Sequence, residues 1–299
     1  MNIKRTSISL VLCLCASVFA AAAQHDRAFW QQIGKNKYAV PQGESADALA
    51  HELSALLASP DPELRDDLAY SILARWVYRP NILATPTLIS LTDEWRGNLK
   101  SGLGETGTNS VLKRSFSALC LSSLAAREAK SPFMGEERYH QLVAEAVAYL
   151  QAERDLRGYD PTLHWIHATA HTADLLGALA DSPLLTKEEQ AAILGAIAKR
   201  LSTANVIYAY GEQDRLAGAV VEVIHRKDYD AAAFEPWLKQ VQDEDADVWT
   251  NTTFDKLTRY QNHTYMLQAL VVRLSLEPES LVLTDFRKKT LAVLREREE

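Results

Sequence analysis

Apolar residues recur along most of the chain at the three- and four-residue spacing that places them on one face of a helix. In "SADALAHELSALLAS", the side chains of Leu49, Leu53, Leu56 and Leu57 form one such stripe. No strand-rich region and no long Gly, Ser or Pro linker separates the helical patterns, so we predict a single all-α domain over residues 24–299. Further segments with the helical pattern lie at roughly 108–127, 136–156, 161–180, 187–204, 213–226 and 254–275.

Several predicted helices carry residues that are typical of helix ends. Asp61-Pro62 combines an N-cap with a proline in the first turn, and Thr85-Pro86 opens another predicted helix in the same way. Thr186 with Glu189 three residues later forms a capping-box pattern. Gly158 suits the position just after a helix over 136–156. Asp160-Pro161 is then expected to open the next helix.

The turns between these helices are short, which favours antiparallel helix pairs that bury their apolar faces on their neighbours. The stretch "LSALLASPDPELRDDLAYSILARWV" resembles a HEAT-type unit, with a leucine-rich helix, an Asp-Pro turn and a second helix opened by arginine and aspartate. We therefore predict a curved array of antiparallel helix pairs, a HEAT- or armadillo-like α-α superhelix. No strict internal period is found elsewhere in the chain, so the array is expected to be irregular.

The N-terminus has the pattern of a cleaved secretory signal. Lys4 and Arg5 precede an apolar run over residues 8–20, and three alanines at 21–23 precede Gln24. We predict cleavage after residue 23 and a secreted or periplasmic mature protein. Removing the signal takes the formal net charge from −7 to −9, which argues against nucleic acid or an anionic membrane surface as the partner. Of three cysteines, Cys120 alone would remain, in an apolar pattern that is typical of a buried residue.

The segment "PTLHWIHATAHTADLLGALA", residues 161–180, places three histidines and an aspartate in one predicted helix. On a helix, His164, His167, His171 and Asp174 would fall within an arc of roughly 80°, at about 100° per residue. This face lacks the lysine, arginine and glutamate of an ordinary exposed surface, so we expect it to face a groove or another helix.

Two interpretations of these histidines stay open. His167 and His171 are four residues apart and could share a zinc ion, with Asp174 as a third ligand. Residues 168–170 between them lack the glutamate that a zincin uses as its general base. The favoured interpretation is therefore that no cofactor is bound and that buried histidines exchange hydrogen bonds with neighbouring groups. Zinc is the alternative.

Five segments together resemble the bacterial family known as the domain of unknown function 2785. They are "SPDPELRDDLAY", "LGETGTNSVLKRSFSAL", "YLQAERDLRGYD", "HWIHATAHTADLL" and "EQDRLAGAV", and they run in family order from about residue 30 to about residue 225. His164 departs from the pattern, because the family usually has a glycine before the tryptophan. The resemblance implies no established activity. It implies a set of patterned residues that we expect to converge on one groove: Arg65, Asp66, Arg114, Ser115, Ser117, Asp155, Arg157, Trp165, His167, His171, Asp174, Asp214 and Arg215.

Two functions are compatible with this groove. The first is a non-catalytic binding scaffold for a peptide, glycan or protein ligand. The second is an envelope hydrolase or lyase, in which His167, His171 and Asp174 would act as a base or hold a metal, and an arginine would neutralise an anionic substrate. No nucleophile-elbow, P-loop or dinucleotide motif favours a particular chemistry.

Overall fold

The computed structural model describes residues 25–297 and is mostly helical, which confirms the all-α prediction. Its α-helices are α1 (Arg27–Lys35), α2 (Ala46–Leu56), α3 (Ser71–Tyr78), α4 (Thr85–Asn98), α5 (Ser110–Lys130), α6 (Glu136–Ala152), α7 (Ala168–Ala180), α8 (Lys187–Thr203), α9 (Glu212–Ile224), α10 (Phe234–Asp243), α11 (Phe254–Leu276) and α12 (Leu281–Glu296). A π-helical segment, Glu63–Tyr70, runs directly into α3, and a 3₁₀ turn, Ala231–Ala233, precedes α10. Two short strands, β1 (Tyr159–Asp160) and β2 (His164–Trp165), form an antiparallel hairpin before α7.

The predicted helix starts at Asp61 and Thr186 are confirmed by their hydrogen bonds. Thr186 Oγ1 accepts from the backbone N–H of Glu189, while the Glu189 side chain accepts from the N–H of Thr186, which completes the capping box. Asp61 Oδ1 accepts from the N–H groups of Glu63 and Leu64. These side chains satisfy backbone donors that the first helical turn leaves unpaired.

The helices pack in two layers. In one layer α3, α5, α7, α9 and α11 lie side by side in chain order. In the other layer α6, α8 and α10 pack in succession. Contacts of α4 with α5 and of α6 with α7 connect the first layer to the helices packed on it. The main core between them is continuous from Trp30 to Val293 and includes the fully buried Trp76, Trp95 and Tyr139. The predicted burial of Cys120 is confirmed, and that burial raises the pKa of its thiol well above the usual value.

The prediction of one continuous helix over 161–180 is wrong in its first third. The α7 helix begins only at Ala168, and the residues before it form the β1–β2 hairpin. His164 and His167 have left-handed backbone conformations, with φ of 57° and 53°. Only His171 and Asp174 of the four polar residues therefore lie on the helix, and the predicted four-residue helical face does not exist.

The prediction that Asp160-Pro161 opens a helix fails because the Asp160 side chain stabilises a turn instead. Its Oδ1 accepts from the N–H groups of Thr162 and Leu163, both at 2.8 Å. Such local side-chain bonds compete with helical backbone bonds. The Gly158 prediction is also wrong, since α6 already ends at Ala152 and Gly158 lies beside β1.

The predictions from hydrophobic spacing missed three helices, α1, α10 and α12. The predicted signal, residues 1–23, lies outside the described residues. Between residues 25 and 297 no helix is both long enough and apolar enough to cross a bilayer.

Candidate functional site

The β1–β2 hairpin is held in place by Arg65 from the π-helical segment. The guanidinium of Arg65 donates to the carbonyl oxygens of Ser59, at 2.8 Å, and of Leu163 and Trp165 in the hairpin. It also lies over the ring of Phe116, 4.8 Å from the centroid. Burial lowers the pKa of Arg65. Since its donors are directed at backbone carbonyls, Arg65 positions the hairpin and is not available to a ligand.

His171 is oriented by Ser115, which faces it from α5. The Ser115 hydroxyl donates to the carbonyl of Ile166, and its oxygen lies 2.8 Å from His171 Nδ1. A hydroxyl has one proton, so Nδ1 of His171 must carry the hydrogen of this second contact. Burial, and then the nearby His167 and Arg215, hold the pKa of His171 well below its usual 6.5. At neutral pH His171 is therefore an uncharged imidazole with its lone pair on Nε2.

That lone pair is unused by the protein. Within residues 25–297, Nε2 of His171 makes no hydrogen bond, although the residue as a whole is 7% exposed. It is also not among the fully enclosed polar atoms that lack a partner, so a ligand or water can reach it. This arrangement provides one hydrogen-bond acceptor that is uncharged and fixed in orientation.

His167 lies beside His171 and is held by the start of α9. Its Nε2 donates to the carbonyl of Tyr210 at 2.9 Å and lies 3.4 Å from a carboxylate oxygen of Glu212. Burial is the largest single influence and would raise the pKa of Glu212, but the hydrogen bond and charge of His167 and the backbone N–H groups of Glu212 and Tyr210 together make the net shift downward. The His167 ring stacks on Trp165 with centroids 4.7 Å apart and meets the His171 ring edge-on at 5.7 Å.

Asp66 in the π-helical segment completes this neighbourhood. Burial, and then the charge of Asp67, raise its pKa, while Arg65 and the rings of His164 and His167 oppose that rise. In the described part of the chain no residue donates a hydrogen bond to the Asp66 carboxylate. π-Helical turns are rare and often occur at functional sites, and this one carries a carboxyl group that receives no hydrogen bond from the described residues.

The same neighbourhood extends along α7 to Asp174. Arg215 on α9 donates to Asp174 at 2.6 Å, yet burial still raises the pKa of this carboxyl. Burial raises the pKa of Tyr70 to about 12, and the nearby Cys120, Asp174 and Asp66 add to this effect. Beyond Asp174 a shallow cleft of about 200 Å³ continues between α7 and α9. Its charged lining is Asp174, Asp181, Arg215, Glu222 and Arg273.

Other predicted groove residues have structural partners instead. Arg114 is fully buried and binds both carboxylate oxygens of Glu153, at 2.6 and 3.0 Å. The third guanidinium nitrogen of Arg114, Nη1, donates to the carbonyls of Ser101 and Gly102, both at 2.9 Å. This buried ion pair joins α5, the loop before it and the end of α6.

Asp155 and Arg157 pair with each other rather than facing the histidines. The Arg157 guanidinium donates to both oxygens of Asp155, at 2.8 and 2.6 Å, and to the carbonyl of Thr108. Asp155 also accepts from the N–H of Gly107. These contacts hold the loop before α5 against the segment that leads into β1.

The two remaining predicted residues, Ser117 and Asp214, have partners away from the histidines. Ser117 is buried and accepts from the Asn98 side chain between α4 and α5. Asp214 pairs with Arg273 across α9 and α11 at 2.7 Å. The structure thus brings together eight of the predicted groove residues: Arg65, Asp66, Ser115, Trp165, His167, His171, Asp174 and Arg215.

Tyr70, Tyr210 and Glu212 are parts of this site that the sequence analysis did not select. Glu212 follows Gly211, whose φ of 95° marks a tight turn, and it begins the "EQDRLAGAV" segment. That combination of glycine and an acidic first turn was an available signal. Tyr70 and Tyr210 have no comparable signal, since tyrosines are common on helix faces and in loops.

The three proposed zinc ligands do not converge. Nδ1 of His171 faces Ser115, Nε2 of His167 faces the Tyr210 carbonyl, and Asp174 pairs with Arg215. Between residues 25 and 297 no group of three or more His, Cys, Asp or Glu side chains is arranged to hold a metal ion.

Fold and site define the molecule as an all-α protein with a polar site formed by a hairpin and neighbouring helices. The family model of the protein of unknown function DUF2785 matches residues 99–272, and the chain belongs to this family. The match includes the residues that we place around His171 on α5, α7 and α9, but not Asp66 or Tyr70. It also continues past about residue 225, where the resemblance seen in the five segments ends. Searches of curated proteins and of solved structures found no match.

Proposed function

We propose that this protein is a secreted or periplasmic binding protein whose helices form a HEAT-like curved array. Its ligand, a peptide, glycan or protein segment, would lie in the groove beside the hairpin, against His171, His167 and Asp66. The proposed location rests on the signal pattern at residues 1–23. The proposed array rests on the two layers of helices, in which α3, α5, α7, α9 and α11 follow one another.

The unpartnered Nε2 of His171 is the observation that carries this proposal. Polar groups in protected positions are nearly always hydrogen-bonded, so an oriented acceptor with no protein partner among residues 25–297 points to a partner from outside. The unpaired carboxylate of Asp66 in the same neighbourhood adds a second acceptor. Together they form a small set of fixed polar groups of the kind that orients a bound ligand.

An envelope hydrolase or lyase is the second candidate, and the Ser115–His171 contact favours it. A general base needs one ring nitrogen fixed by a partner and the other free to accept a proton, which is the arrangement around His171. Ser115 would be a positioning residue here rather than a nucleophile, since its hydroxyl donates to the Ile166 carbonyl. In this variant of the proposal Nε2 takes a proton from the attacking water in a hydrolase, or from the bound substrate in a lyase, and the imidazolium returns it to the leaving group.

We expect the site to act without a resident metal or other cofactor. Zinc held by His167, His171 and Asp174 is the alternative, and it would require each of them to leave its present partner. Elemental analysis of the purified protein tests this. Zinc near one equivalent, lost in a folded His167→Ala/His171→Ala variant, would establish the alternative.

A ligand screen by thermal shift tests the binding function. A compound that binds the folded state alone stabilises it by RT ln(1 + L/Kd), where L is the free ligand concentration, so the melting temperature rises with the logarithm of L once L exceeds Kd. We expect at least one hit from a library of peptides and oligosaccharides to stabilise the wild type but not His171→Gln or Asp66→Asn. The exposed neighbour Asp67 supplies the matched control, and Asp67→Asn should respond like the wild type.

The outcomes of this screen are distinct. Hits that stabilise His171→Gln and Asp66→Asn as strongly as the wild type would place the ligand elsewhere and overturn the proposal. Mass spectrometry of each hit after incubation separates the two candidate functions. A recovered, unchanged ligand supports binding, whereas a product that is absent with His171→Gln supports the enzyme.

A further inference from the structure

We propose that the ligand of this groove is a neutral saccharide, stacked on an aromatic rim formed by Tyr159, Trp165 and Tyr210. This inference rests on the proposed function, because it names the class of ligand for the same site. It is carried by the exposure of the rim and by the hydrogen-bonding character of the groups beside it.

The three rings of the aromatic rim are each more than a third exposed and lie next to one another. Tyr159, Trp165 and Tyr210 are 38%, 39% and 52% exposed. Tyr159 meets Trp165 edge-on with centroids 5.0 Å apart and lies 6.3 Å from Tyr210, so the three rings are one continuous patch. Large exposed apolar patches mark interaction sites, and aromatic rings with a polar tip suit a surface that is both apolar and wet.

Each of two rim rings already has one face covered by an imidazole. His164 stacks on Tyr159 with an angle of 18° between the planes, and His167 stacks on Trp165 with an angle of 23°. The rings are thereby fixed in orientation, and more than a third of the surface of Tyr159 and of Trp165 stays exposed to a ligand. A pre-oriented flat ring is matched by the flat C–H face of a pyranose, which is apolar although the sugar's edge carries hydroxyls.

The polar groups beside the rim act as hydrogen-bond acceptors. His171 offers the lone pair of Nε2. Asp66 offers a carboxylate that accepts no hydrogen bond from residues 25–297. A ligand must therefore supply donors, which the hydroxyl groups of a saccharide do.

An anionic saccharide fits this groove poorly. Arg65 donates to backbone carbonyls, and Arg215 and Arg157 are bound to Asp174 and Asp155. No arginine of the site, within the part that the structure describes, is left to neutralise a uronate or sulfate. The unpaired Asp66 would in addition repel such a group.

A quaternary ammonium ligand is the competing class, because cations bind over aromatic rings near carboxylates. Recognition of that kind surrounds the cation with several ring faces. Here Tyr159 and Trp165 each have a face occupied by His164 or His167, so the rim presents a platform rather than an enclosure. We therefore favour the saccharide.

The tryptophans of the chain allow a direct test. All six lie in the described residues, and only Trp165 and Trp249 are exposed, at 39% and 69%. In a Trp249→Phe background, fluorescence changes on titration report on Trp165. The probes are maltohexaose, cellohexaose and chitohexaose, with hexagalacturonate and tetramethylammonium chloride as the anionic and cationic comparisons.

We expect a saturable fluorescence change with at least one neutral hexasaccharide and none with hexagalacturonate. Calorimetry should then show binding about tenfold weaker or more in Trp165→Ala, as expected for removal of a central aromatic anchor. Trp249→Ala is the matched control and should bind like the wild type. Circular dichroism verifies that both variants stay folded.

The results that would overturn the saccharide proposal differ from those that would overturn the proposed binding function. If none of the three neutral hexasaccharides binds, or if Trp165→Ala binds them unchanged, the saccharide inference is wrong. Saturable binding of tetramethylammonium instead would assign the rim to a cation and leave the groove intact. The proposed function itself fails only in the His171 and Asp66 comparison of the ligand screen.

Discussion

The Oγ atom of Ser115 on α5 lies 2.8 Å from Nδ1 of His171 on α7. The two helices pack side by side, and the Ser115 hydroxyl donates its hydrogen bond to the Ile166 carbonyl just before α7. One side chain therefore joins α5, the entry to α7 and the imidazole. It also fixes the proton of His171 on Nδ1, which leaves Nε2 as the acceptor.

Replacing Ser115 with alanine should remove the preference of His171 for the Nδ1–H tautomer. We expect ¹⁵N NMR of histidine-labelled Ser115→Ala to show His171 shifting from the Nδ1–H form toward a mixture with Nε2–H. The loss of a buried hydrogen-bond partner should also lower the free energy of unfolding in urea by about 1–3 kcal/mol. A spectrum in which His171 keeps its wild-type tautomer would contradict this role of Ser115.

Ser117 provides the control for that experiment, because it is equally buried on the same helix but accepts from Asn98. Ser117→Ala should lose stability to a similar degree, about 1–3 kcal/mol, for the same physical reason. It should leave the His171 tautomer unchanged. The comparison separates the orientation of the imidazole from a general loss of packing.

His171 should also give the protein an acid-sensitive stability. Its pKa in the folded protein is well below 6.5, whereas the unfolded chain has the ordinary value. Below pH 6.5 the unfolded state therefore binds a proton that the folded state does not, and the free energy of unfolding decreases as the pH falls. The slope from this group approaches about 1.4 kcal/mol per pH unit until the folded pKa is reached.

Urea unfolding at several pH values between 7 and 5 measures this effect as a difference between proteins. Asp66 and Asp174 have raised pKa values, so each makes the folded state more stable as the pH falls, which is opposite to the effect of His171. Both residues are present in the wild type and in His171→Gln alike, so their effects are common to the two proteins. His171→Gln cannot titrate, and its stability should decrease less steeply with acid than that of the wild type. The exposed His225 is the control, and His225→Gln should follow the wild-type slope. Equal slopes for wild type and His171→Gln would refute the assignment.

The helices were predictable because their signals are local. At Thr186 a capping box marks the start of α8, and apolar spacing within that helix marks its buried face. Local signals gave the wrong prediction for the hairpin, because the apolar spacing of residues 161–167 is that of a helix. Its conformation depends on Arg65, which lies 98 residues before the Leu163 carbonyl that it binds. No pattern within the segment encodes that contact.

The candidate site shows the same limit. His171 and Asp174 could be selected because they share one helix, but the partner that orients His171 is 56 residues away at Ser115. Family-like motifs did identify Ser115 and Asp66 as patterned, without indicating which of the patterned residues meet. Arg114 is equally patterned and instead forms a buried ion pair with Glu153. Packing between helices decides which role each residue takes.

Gly158 should tolerate a side chain poorly, because the side chains of Tyr210 and Glu212 occupy the space that a Cβ would take. A Cβ at this position would lie 2.6 Å from Cδ2 of Tyr210 and would also meet the Glu212 carboxylate. We expect Gly158→Ala to lower the free energy of unfolding by about 1–3 kcal/mol through overpacking. The control is Gly195→Ala in α8, where a Cβ meets nothing within 4 Å. That change should raise stability by about 0.5–1 kcal/mol, as alanine is the better helix former.

Arg114 and Glu153 should be the most sensitive pair in the structure to removal of one partner. Both are buried and are joined by two hydrogen bonds, so Glu153→Gln leaves the guanidinium charge without its counter-ion. We expect a loss of about 3–5 kcal/mol in the free energy of unfolding, measured in urea. The partly exposed pair Arg138–Asp93 is the control, and Asp93→Asn should change stability by less than about 1 kcal/mol. A Glu153→Gln effect as small as that of Asp93→Asn would show that the buried charge finds another partner, and Arg114 would then not be the residue that holds the α5 loop to α6.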